Sequence, residues 1–166
     1  QTGFSFIAQA RGWLPDPIGG IFWFGVDDTY STVYVPMYCG IHDVPKSYGV
    51  DAGDFYHFSW ESAFWTFNWV SNWAYTRYCD MIHDIQVVQR ELEGEFHARQ
   101  PEVEKAALAM YTASPESARN YLTEYSVAPG DKVHKRWKAL GESLICKYMD
   151  GNVKDEKNNV LHPRYP

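Results

Sequence analysis

Residues 59–96 constrain this chain most, because tryptophan recurs at every fourth position in the first half of that segment. In an α-helix, Trp65, Trp69 and Trp73 would stack along one side. Further aromatic residues occupy much of the remaining circumference, which is typical of a buried helix. The second half has one apolar and one charged face, as expected for a helix at the surface. The pattern predicts a single long helix that is capped by Ser59, begins inside the protein and emerges into solvent.

Three short segments before this helix have the composition of β-strands, with aromatic and β-branched residues in partial alternation. They are residues 4–11, 21–26 and 31–38. Prolines interrupt the chain after the first segment, and Pro36 is expected to mark the edge or the end of the third. The spacing of the second and third segments predicts an antiparallel hairpin. Residues 39–58 are irregular, and they serve either as a connection to the long helix, which we favour, or as a binding loop.

Three further helices are predicted after the long one. Proline, glycine and capping residues place the boundaries at residues 100–101, 114–116, 129–131 and 150–151. Strands followed by helices predict an α+β fold, with N-terminal antiparallel strands and then a helical region with one long central helix. We expect residues 1–150 to form a single α+β unit within a larger domain, with strands and loop in 1–58 and helices in 59–150. Residues 151–166 are expected to form an extended tail.

The overall charge argues against nucleic acid and anionic membranes as partners. The 166 residues carry a formal net charge of -6, and the sequence contains no basic block. No apolar run approaches the roughly 20 residues that a membrane span needs, so no membrane span is expected. The three cysteines are widely spaced and form no CxxC pair, which argues against a zinc ribbon or a thioredoxin-type site. We expect no cofactor.

Cys39 follows the third predicted strand and lies near His42 in the sequence. A cysteine beside a histidine is a possible thiol nucleophile, but a small buried residue at a strand end is the favoured interpretation. The histidines lack the i, i+4 spacing of a helical metal site, so structural or solvated roles are favoured over metal binding. The histidines considered are His42, His57, His83 and His97.

Arg11 and Trp13 lie beside the proline-rich break after the first strand. Arg11 could bind a substrate carboxylate, but an ion pair with Asp16 or Asp27 is the favoured interpretation. Most tryptophans are expected in the core rather than in an aromatic ligand groove, because they recur at helical spacing. Trp13 is the expected exception, since its loop is predicted to be exposed.

Several segments resemble the C-terminal portion of the peptidase family C69 dipeptidases. The first is GFSFIAQARGWLPDPIGGIFWFGVD at residues 3–27. It is followed by STVYVPMYCG at residues 31–40, by Val44 and Pro45, and by SAFW at residues 62–65. The resemblance weakens after about residue 100, and none of these segments contains a catalytic motif.

The resemblance implies an N-terminal nucleophile (Ntn) hydrolase, in which two stacked antiparallel sheets lie between helical layers. It further implies that a cysteine at the mature N-terminus attacks the peptide bond of a dipeptide, with its own α-amino group as the base. This sequence begins with Gln1, and no residue matches that nucleophile, so no catalytic residue is assigned. The nucleophilic cysteine is expected upstream of Gln1, and Arg11 and Trp13 are the candidates for the rim of the substrate site.

We therefore expect the segment to be inactive alone, and to pair with a missing N-terminal part of the same enzyme or with a second copy. An exposed apolar face of the sheet would mark that pairing surface. The alternatives are a non-enzymatic binding module that uses residues 39–58 and the nearby aromatic residues, and a thiol hydrolase built on Cys39 and His42.

Overall fold

The computed structural model describes residues 2–157 and 159–161 and has the predicted α+β architecture, with strands first and helices after them. The elements in chain order are β1 (Phe4–Ala10), α1 (Asp16–Gly19), β2 (Gly20–Val26), β3 (Val35–Tyr38), α2 (Ala63–Tyr75), α3 (Tyr78–Ala113), α4 (Pro115–Tyr148), β4 (Val153–Lys154) and β5 (Val160–Leu161). The three predicted strands are therefore confirmed, with the third shorter than expected.

The main sheet has the antiparallel order β1-β2-β3. Phe6 lies opposite Phe24, and Trp23 lies opposite Pro36. Pro36 lies inside β3 rather than at its end, and it is tolerated there because β3 forms an edge of this sheet. Residues 31–34 are not part of β3. In this stretch the buried Thr32 hydroxyl donates to the Val26 carbonyl at 2.8 Å, so a side-chain bond takes the place of ladder pairing.

The predicted single helix over residues 59–96 is wrong, because the chain leaves helical geometry between α2 and α3. Arg77 has φ −156° and ψ 56°. The Thr76 hydroxyl donates to the Trp73 carbonyl at 2.7 Å, a local bond that competes with continuation of the helix. The N-cap of α2 is Ser62, whose hydroxyl accepts from the Trp65 N–H, and not Ser59. Two long helices, α3 and α4, follow the break.

The helix boundaries predicted at Pro101 and at Pro129 with Gly130 are also wrong, since α3 and α4 run through them. Gly130 is required by packing, because a Cβ at that position would overlap the ring of Pro45. Pro101 is exposed, so water can satisfy the carbonyl that its missing N–H leaves without a partner. The predicted helix start at Ser114 is confirmed, because its hydroxyl accepts from the Ser117 N–H at 3.3 Å.

The helix end predicted near residue 150 is confirmed, since Asp150 and Gly151 have φ values of 65° and 71°. In the predicted tail, β4 and β5 pair as a short antiparallel hairpin. Residues 158 and 162–166 of that tail lie outside the described residues.

One hydrophobic core joins the sheet to the helices. Ile21 and Trp23 of β2 point into this core. Phe67 of α2 and Trp137 of α4 also lie in it, and the rings of these two residues stack with centroids 4.6 Å apart. The domain limits at residues 1–150 stay a prediction.

Candidate functional site

A cleft of about 340 Å³ opens at the end of the sheet where β1 begins and β2 ends. We call it the sheet-end cleft. Its wall comes from the sheet, from the loop between β3 and α2, and from the first turn of α2. The lining residues are Gly3, Phe4, Phe24, Val26, Ser47, Tyr48, Gly49, Gly53, Asp54, Phe55, Ser62, Ala63, Phe64 and Trp65. The cleft is large enough for a small ligand and is mainly apolar.

The loop that forms one wall of the cleft is fixed against α4. Pro45 packs against Gly130, and two 3₁₀ turns follow at Lys46–Tyr48 and Val50–Ala52. Ser47 is buried, and its hydroxyl has no hydrogen-bond partner among the described residues. The loop is therefore an ordered wall of the cleft as well as a connection between β3 and α2.

Among the described residues that line the cleft, one side chain is charged, and it is Asp54. The ring Nδ1 of His57 lies 2.7 Å from its carboxylate, and the N–H groups of Tyr56 and His57 donate to it at 2.7 and 2.9 Å. These hydrogen bonds, with that of the His57 ring the largest, lower the pKa of Asp54 below its ordinary value. Asp54 is therefore an ionised carboxylate at neutral pH.

A buried polar cluster anchors α2 beside this end of the sheet. Asp27 directly follows β2 in the left-handed region, with φ 63°. Its carboxylate accepts hydrogen bonds from the Asn68 amide at 2.9 Å and from the Ser71 hydroxyl. The Asp27 N–H donates to the Gly3 carbonyl at 2.9 Å. The cluster thus joins the start of β1, the end of β2 and the middle of α2, which fixes the geometry around the cleft.

One face of the sheet next to the cleft is an exposed phenylalanine surface, as expected from the sequence. Phe4 and Phe6 of β1 are 59% and 52% exposed. Phe6 stacks on Phe22 with ring centroids 4.6 Å apart, and Phe4 lies 5.8 Å from Phe24. β1 also has no partner strand on its outer edge within the described part of the chain. We call the face formed by Phe4, Phe6, Phe22 and Phe24 the phenylalanine face.

A second depression, of about 320 Å³, lies along α2 and shares Trp65 with the sheet-end cleft. It is lined by Phe58, Trp65, Asn68, Trp69, Asn72 and Trp73, and we call it the aromatic groove. The expectation that these tryptophans lie in the core is met only in part, because all three are half-buried and Trp69 and Trp73 pack against the core from its edge. The face of α2 that packs on the protein carries Ala63, Phe67, Val70 and Ala74. These mostly smaller side chains allow close packing, and they were the signal for the buried face.

The remaining tryptophans differ in burial. Trp23 belongs to the core as predicted, and Trp137 of α4 is buried there too. Trp60 is 37% exposed, packs against Trp69 and has the Lys138 ammonium over its ring. Trp13 is 80% exposed, as expected for its loop.

Arg11 is held by bonds within the protein. Its guanidinium pairs with the Glu104 carboxylate of α3 and donates to the carbonyls of Ile18 at 2.9 Å and Gly19 at 3.3 Å. The favoured ion pair therefore exists, but its partner is neither Asp16 nor Asp27. The Tyr38 hydroxyl donates to the same carboxylate at 3.2 Å, and the pKa of Tyr38 is raised, mainly by burial and then by the charge of Glu104.

Arg11 and Trp13 follow the far end of β1, whereas the sheet-end cleft lies at its start. Seven residues of extended strand separate the two ends by roughly 20 Å. A role for these residues at a substrate rim stays a prediction, and such a rim would not be part of the sheet-end cleft.

The structure does not join Cys39 to His42. Cys39 is exposed rather than buried, which corrects the favoured expectation, because it lies past the end of β3, where its N–H pairs with the Gly20 carbonyl. The Nδ1 atom of His42 lies 3.2 Å from the Thr123 hydroxyl. Within the described part of the chain, no hydrogen bond connects the thiol to the imidazole, which removes the geometric basis of a thiol hydrolase at this position.

His57 and His97 have protein partners, whereas His83 is exposed on α3. His57 bonds Asp54, and the His97 ring lies 4.9 Å from that of Trp23. Across residues 2–157 and 159–161, no three His, Cys, Asp or Glu side chains come together as a metal site. No helix formed by the described residues has the length and apolar character to cross a membrane.

Comparison with known proteins places the chain in a family. The model of Peptidase family C69 matches residues 1–91, which is 91 of 166 residues and more than half of the chain. The matched region contains the whole three-stranded sheet, the sheet-end cleft, α2 and the first part of α3. No curated protein gives a match. Family membership supports a peptidase-type function with peptide substrates, and the chain belongs to peptidase family C69.

Proposed function

We propose that this chain is the C-terminal segment of a cysteine-type Ntn dipeptidase whose attacking sulfur is supplied from outside residues 2–161. In this proposal the segment contributes late strands of one sheet, the helices that cover them and one wall of the substrate site. The segment alone does not hydrolyse dipeptides. The missing part is an N-terminal segment of the same enzyme that begins with the catalytic cysteine.

The phenylalanine face is the observation that carries this proposal. On the opposite face, Ile21 and Trp23 of β2 are buried against the helices, so the middle strand has the asymmetry of one half of a sandwich. A second sheet placed on Phe4, Phe6, Phe22 and Phe24 would remove their exposed apolar area from water, at roughly 25 cal/mol per Å². It would also bring the missing segment next to the sheet-end cleft, which opens where that face meets the loop wall.

The sheet-end cleft suits a dipeptide in size and charge. Its volume of about 340 Å³ is at the small end of ligand pockets. The Asp54 carboxylate is exposed and negatively charged at neutral pH, and beside the His57 ring it would pair with the α-ammonium group of a dipeptide. The side chains of the substrate would then contact Phe24, Phe55 or Trp65.

The chemistry of the proposal follows from the N-terminal cysteine. Its thiol gives a proton to the α-amino group and attacks the carbonyl carbon of the substrate, so that a thioester forms and the second amino acid leaves as an amine. Water then hydrolyses the thioester, releases the first amino acid and restores the thiol. None of the described residues is assigned to these two steps.

The test compares the present chain with a longer form that begins with the catalytic cysteine. We expect release of free amino acids from a panel of unblocked dipeptides by the longer form, and none by the present chain. Replacing the terminal cysteine by alanine should abolish the activity, and Cys39→Ala should leave it unchanged. Hydrolysis by the present chain that is lost in Cys39→Ala would refute the proposal.

A non-enzymatic binding module is the second candidate. It is favoured by the exposure of Phe55 and Tyr56, which extend from the loop wall of the cleft into solvent. A ligand that binds this loop tightly, together with a Cys-initiated form that releases no amino acids from any dipeptide, would support this candidate over the first.

A further inference from the structure

Indole and carboxamide side chains alternate along one side of α2. The order in the sequence is Trp65, Asn68, Trp69, Asn72 and Trp73, and all five residues line the aromatic groove. The indoles recur every four residues, and so do the carboxamides. The proposed chemistry assigns no step to this side of the helix, where Trp69 and Trp73 are partly buried against the core and keep part of their surface in the groove.

The repeat matches the geometry of an extended peptide. Four residues of α-helix advance about 6 Å along the axis, so the three indoles mark two intervals of that length. In an extended chain, side chains on one face recur every two residues, at about 6.6 Å. A peptide lying along α2 would therefore place every second side chain against an indole, and the mismatch over two intervals would be only about 1 Å.

The two carboxamide groups are each held by a hydrogen bond from the amide nitrogen. The Asn68 amide nitrogen donates to the Asp27 carboxylate at 2.9 Å, and the Asn72 amide nitrogen donates to the Asn68 backbone carbonyl at 2.7 Å. A carboxylate can only accept hydrogen bonds, so the amide nitrogen of Asn68 must face Asp27. The amide oxygen of Asn68 is therefore the end that faces away from Asp27. Neither side-chain oxygen has a partner among the described residues, so both can accept from the N–H groups of a bound chain.

The groove is held rigidly by packing on its other side. A Cβ at Gly141 of α4 would lie 2.6 Å from Cζ3 of Trp69, so glycine at that position allows the indole to pack closely against α4. The Trp69 and Trp73 rings are nearly parallel, at 15° and 6.4 Å between centroids. A preorganised surface of this kind loses little conformational entropy when a ligand binds.

The lack of charged residues in the aromatic groove and its continuity with the sheet-end cleft indicate which ligand the groove binds. None of the residues that line the groove is charged, so it complements the uncharged, dipolar backbone of a peptide rather than a phosphate or a charged tail. Trp65 also lines the sheet-end cleft, so a chain leaving the groove at that end reaches the cleft directly.

We propose that the aromatic groove binds an extended segment of a peptide substrate, with apolar side chains at alternate positions. This inference rests on the proposed peptidase function and widens its substrates from dipeptides to longer peptides. The peptide residues that extend beyond the sheet-end cleft lie along α2. Their backbone N–H groups donate to the side-chain oxygens of Asn68 and Asn72.

The test measures binding to the present chain by tryptophan fluorescence and calorimetry. The probe is an acetylated and amidated hexapeptide, Leu-Ser-Leu-Ser-Leu-Ser, and the matched probe carries N-methyl groups on its three leucines. We expect saturable binding of the first probe and at least tenfold weaker binding of the second. Asn72→Ala and Trp73→Ala should each weaken binding of the first probe about tenfold, which corresponds to one hydrogen bond or one stacked contact. Trp13→Ala, at an exposed indole outside the groove, should not weaken it.

Equal binding of the two probes, or unchanged binding in both groove variants, would overturn the inference. So would binding of maltohexaose with none of the hexapeptide, since stacked indoles and amides also suit a sugar chain. Near-ultraviolet circular dichroism of each variant separates loss of the groove from loss of the fold. The proposed function fails separately, because it depends on amino-acid release from dipeptides by the Cys-initiated form.

Discussion

The two faces of the same β-strand meet different surroundings in this protein. Ile21 and Trp23 of β2 point toward the helices and are 1% and 5% exposed. Phe22 and Phe24 alternate with them, are equally apolar, and lie on a face where the neighbouring Phe4 and Phe6 are half-exposed. Hydrophobicity along the strand is therefore uniform, while burial is complete on one side and partial on the other. The difference indicates that the covered face stabilises this chain and that the phenylalanine face is available to a partner.

Substitution on the covered face should have the largest effect. We expect Trp23→Ala to lower the free energy of unfolding by about 3–5 kcal/mol, because it removes a buried indole and leaves a cavity. Phe6→Ala on the phenylalanine face should cost less than about 1 kcal/mol, since half of the ring is already in water. Urea unfolding followed by far-ultraviolet circular dichroism measures both. Similar losses in the two variants would show that the faces do not differ as the structure indicates.

Disruption of the contact between the loop wall and α4 should lower the free energy of unfolding by a smaller amount. Gly130→Ala would drive a methyl group into the Pro45 ring, and we expect a loss of about 1–3 kcal/mol with displacement of the loop that lines the cleft. Gly94→Ala in α3 is the matched control, because nothing lies within 4 Å of the added Cβ. That variant should gain about 0.5–1 kcal/mol from helix propensity. Thermal unfolding of the pair measures the difference, and a stabilised Gly130→Ala would contradict the packing.

The phenylalanine face can be tested by its association rather than by its stability. We expect the present chain to bind the dye ANS and to form concentration-dependent oligomers, because exposed apolar area on this face drives association. The double variant Phe4→Ser, Phe6→Ser should reduce both signals with a stability change below about 1 kcal/mol. Val50→Ser, at an isolated residue that is 93% exposed, is the control. Analytical ultracentrifugation that shows identical monomers for all three proteins would argue against a pairing surface.

Local signals in the sequence predicted part of this structure well. The strands and the Ser114 helix start were predictable because residue type and capping act over a few positions. The continuation of α4 through Gly130 was not, since it depends on a contact with Pro45 that is distant in sequence. The ion pair of Arg11 with Glu104 joins residues 93 positions apart and has no local signature.

The candidate site was also only partly predictable, because it too depends on contacts between residues that are distant in sequence. Because α2 is apolar over most of its circumference, hydrophobicity alone could not identify which side faces the core. The small residues Ala63 and Ala74 mark the close-packed side, and Trp69 packs on α4 only because position 141 is glycine. The family was readable from segments of the sequence, whereas the cleft was not, because the sheet, the loop and α2 come together only in the fold.

The smallest expected effect concerns the charge in the sheet-end cleft. Hydrogen bonds from the His57 ring and from backbone N–H groups lower the pKa of Asp54, so its carboxylate stabilises the loop above the ordinary pKa near 4. That stabilisation is lost as the pH falls through the lowered pKa. His57→Ala removes the largest contribution, and the pKa of Asp54 should rise toward its ordinary value in a carbon-13 NMR titration from about pH 6 to about pH 2. Asp155, whose pKa is lowered by Asn159, is the internal control and should not change. An unchanged pKa for Asp54 would mean that the backbone N–H groups alone hold the negative charge, and the cleft would then keep its preference for an ammonium group without His57.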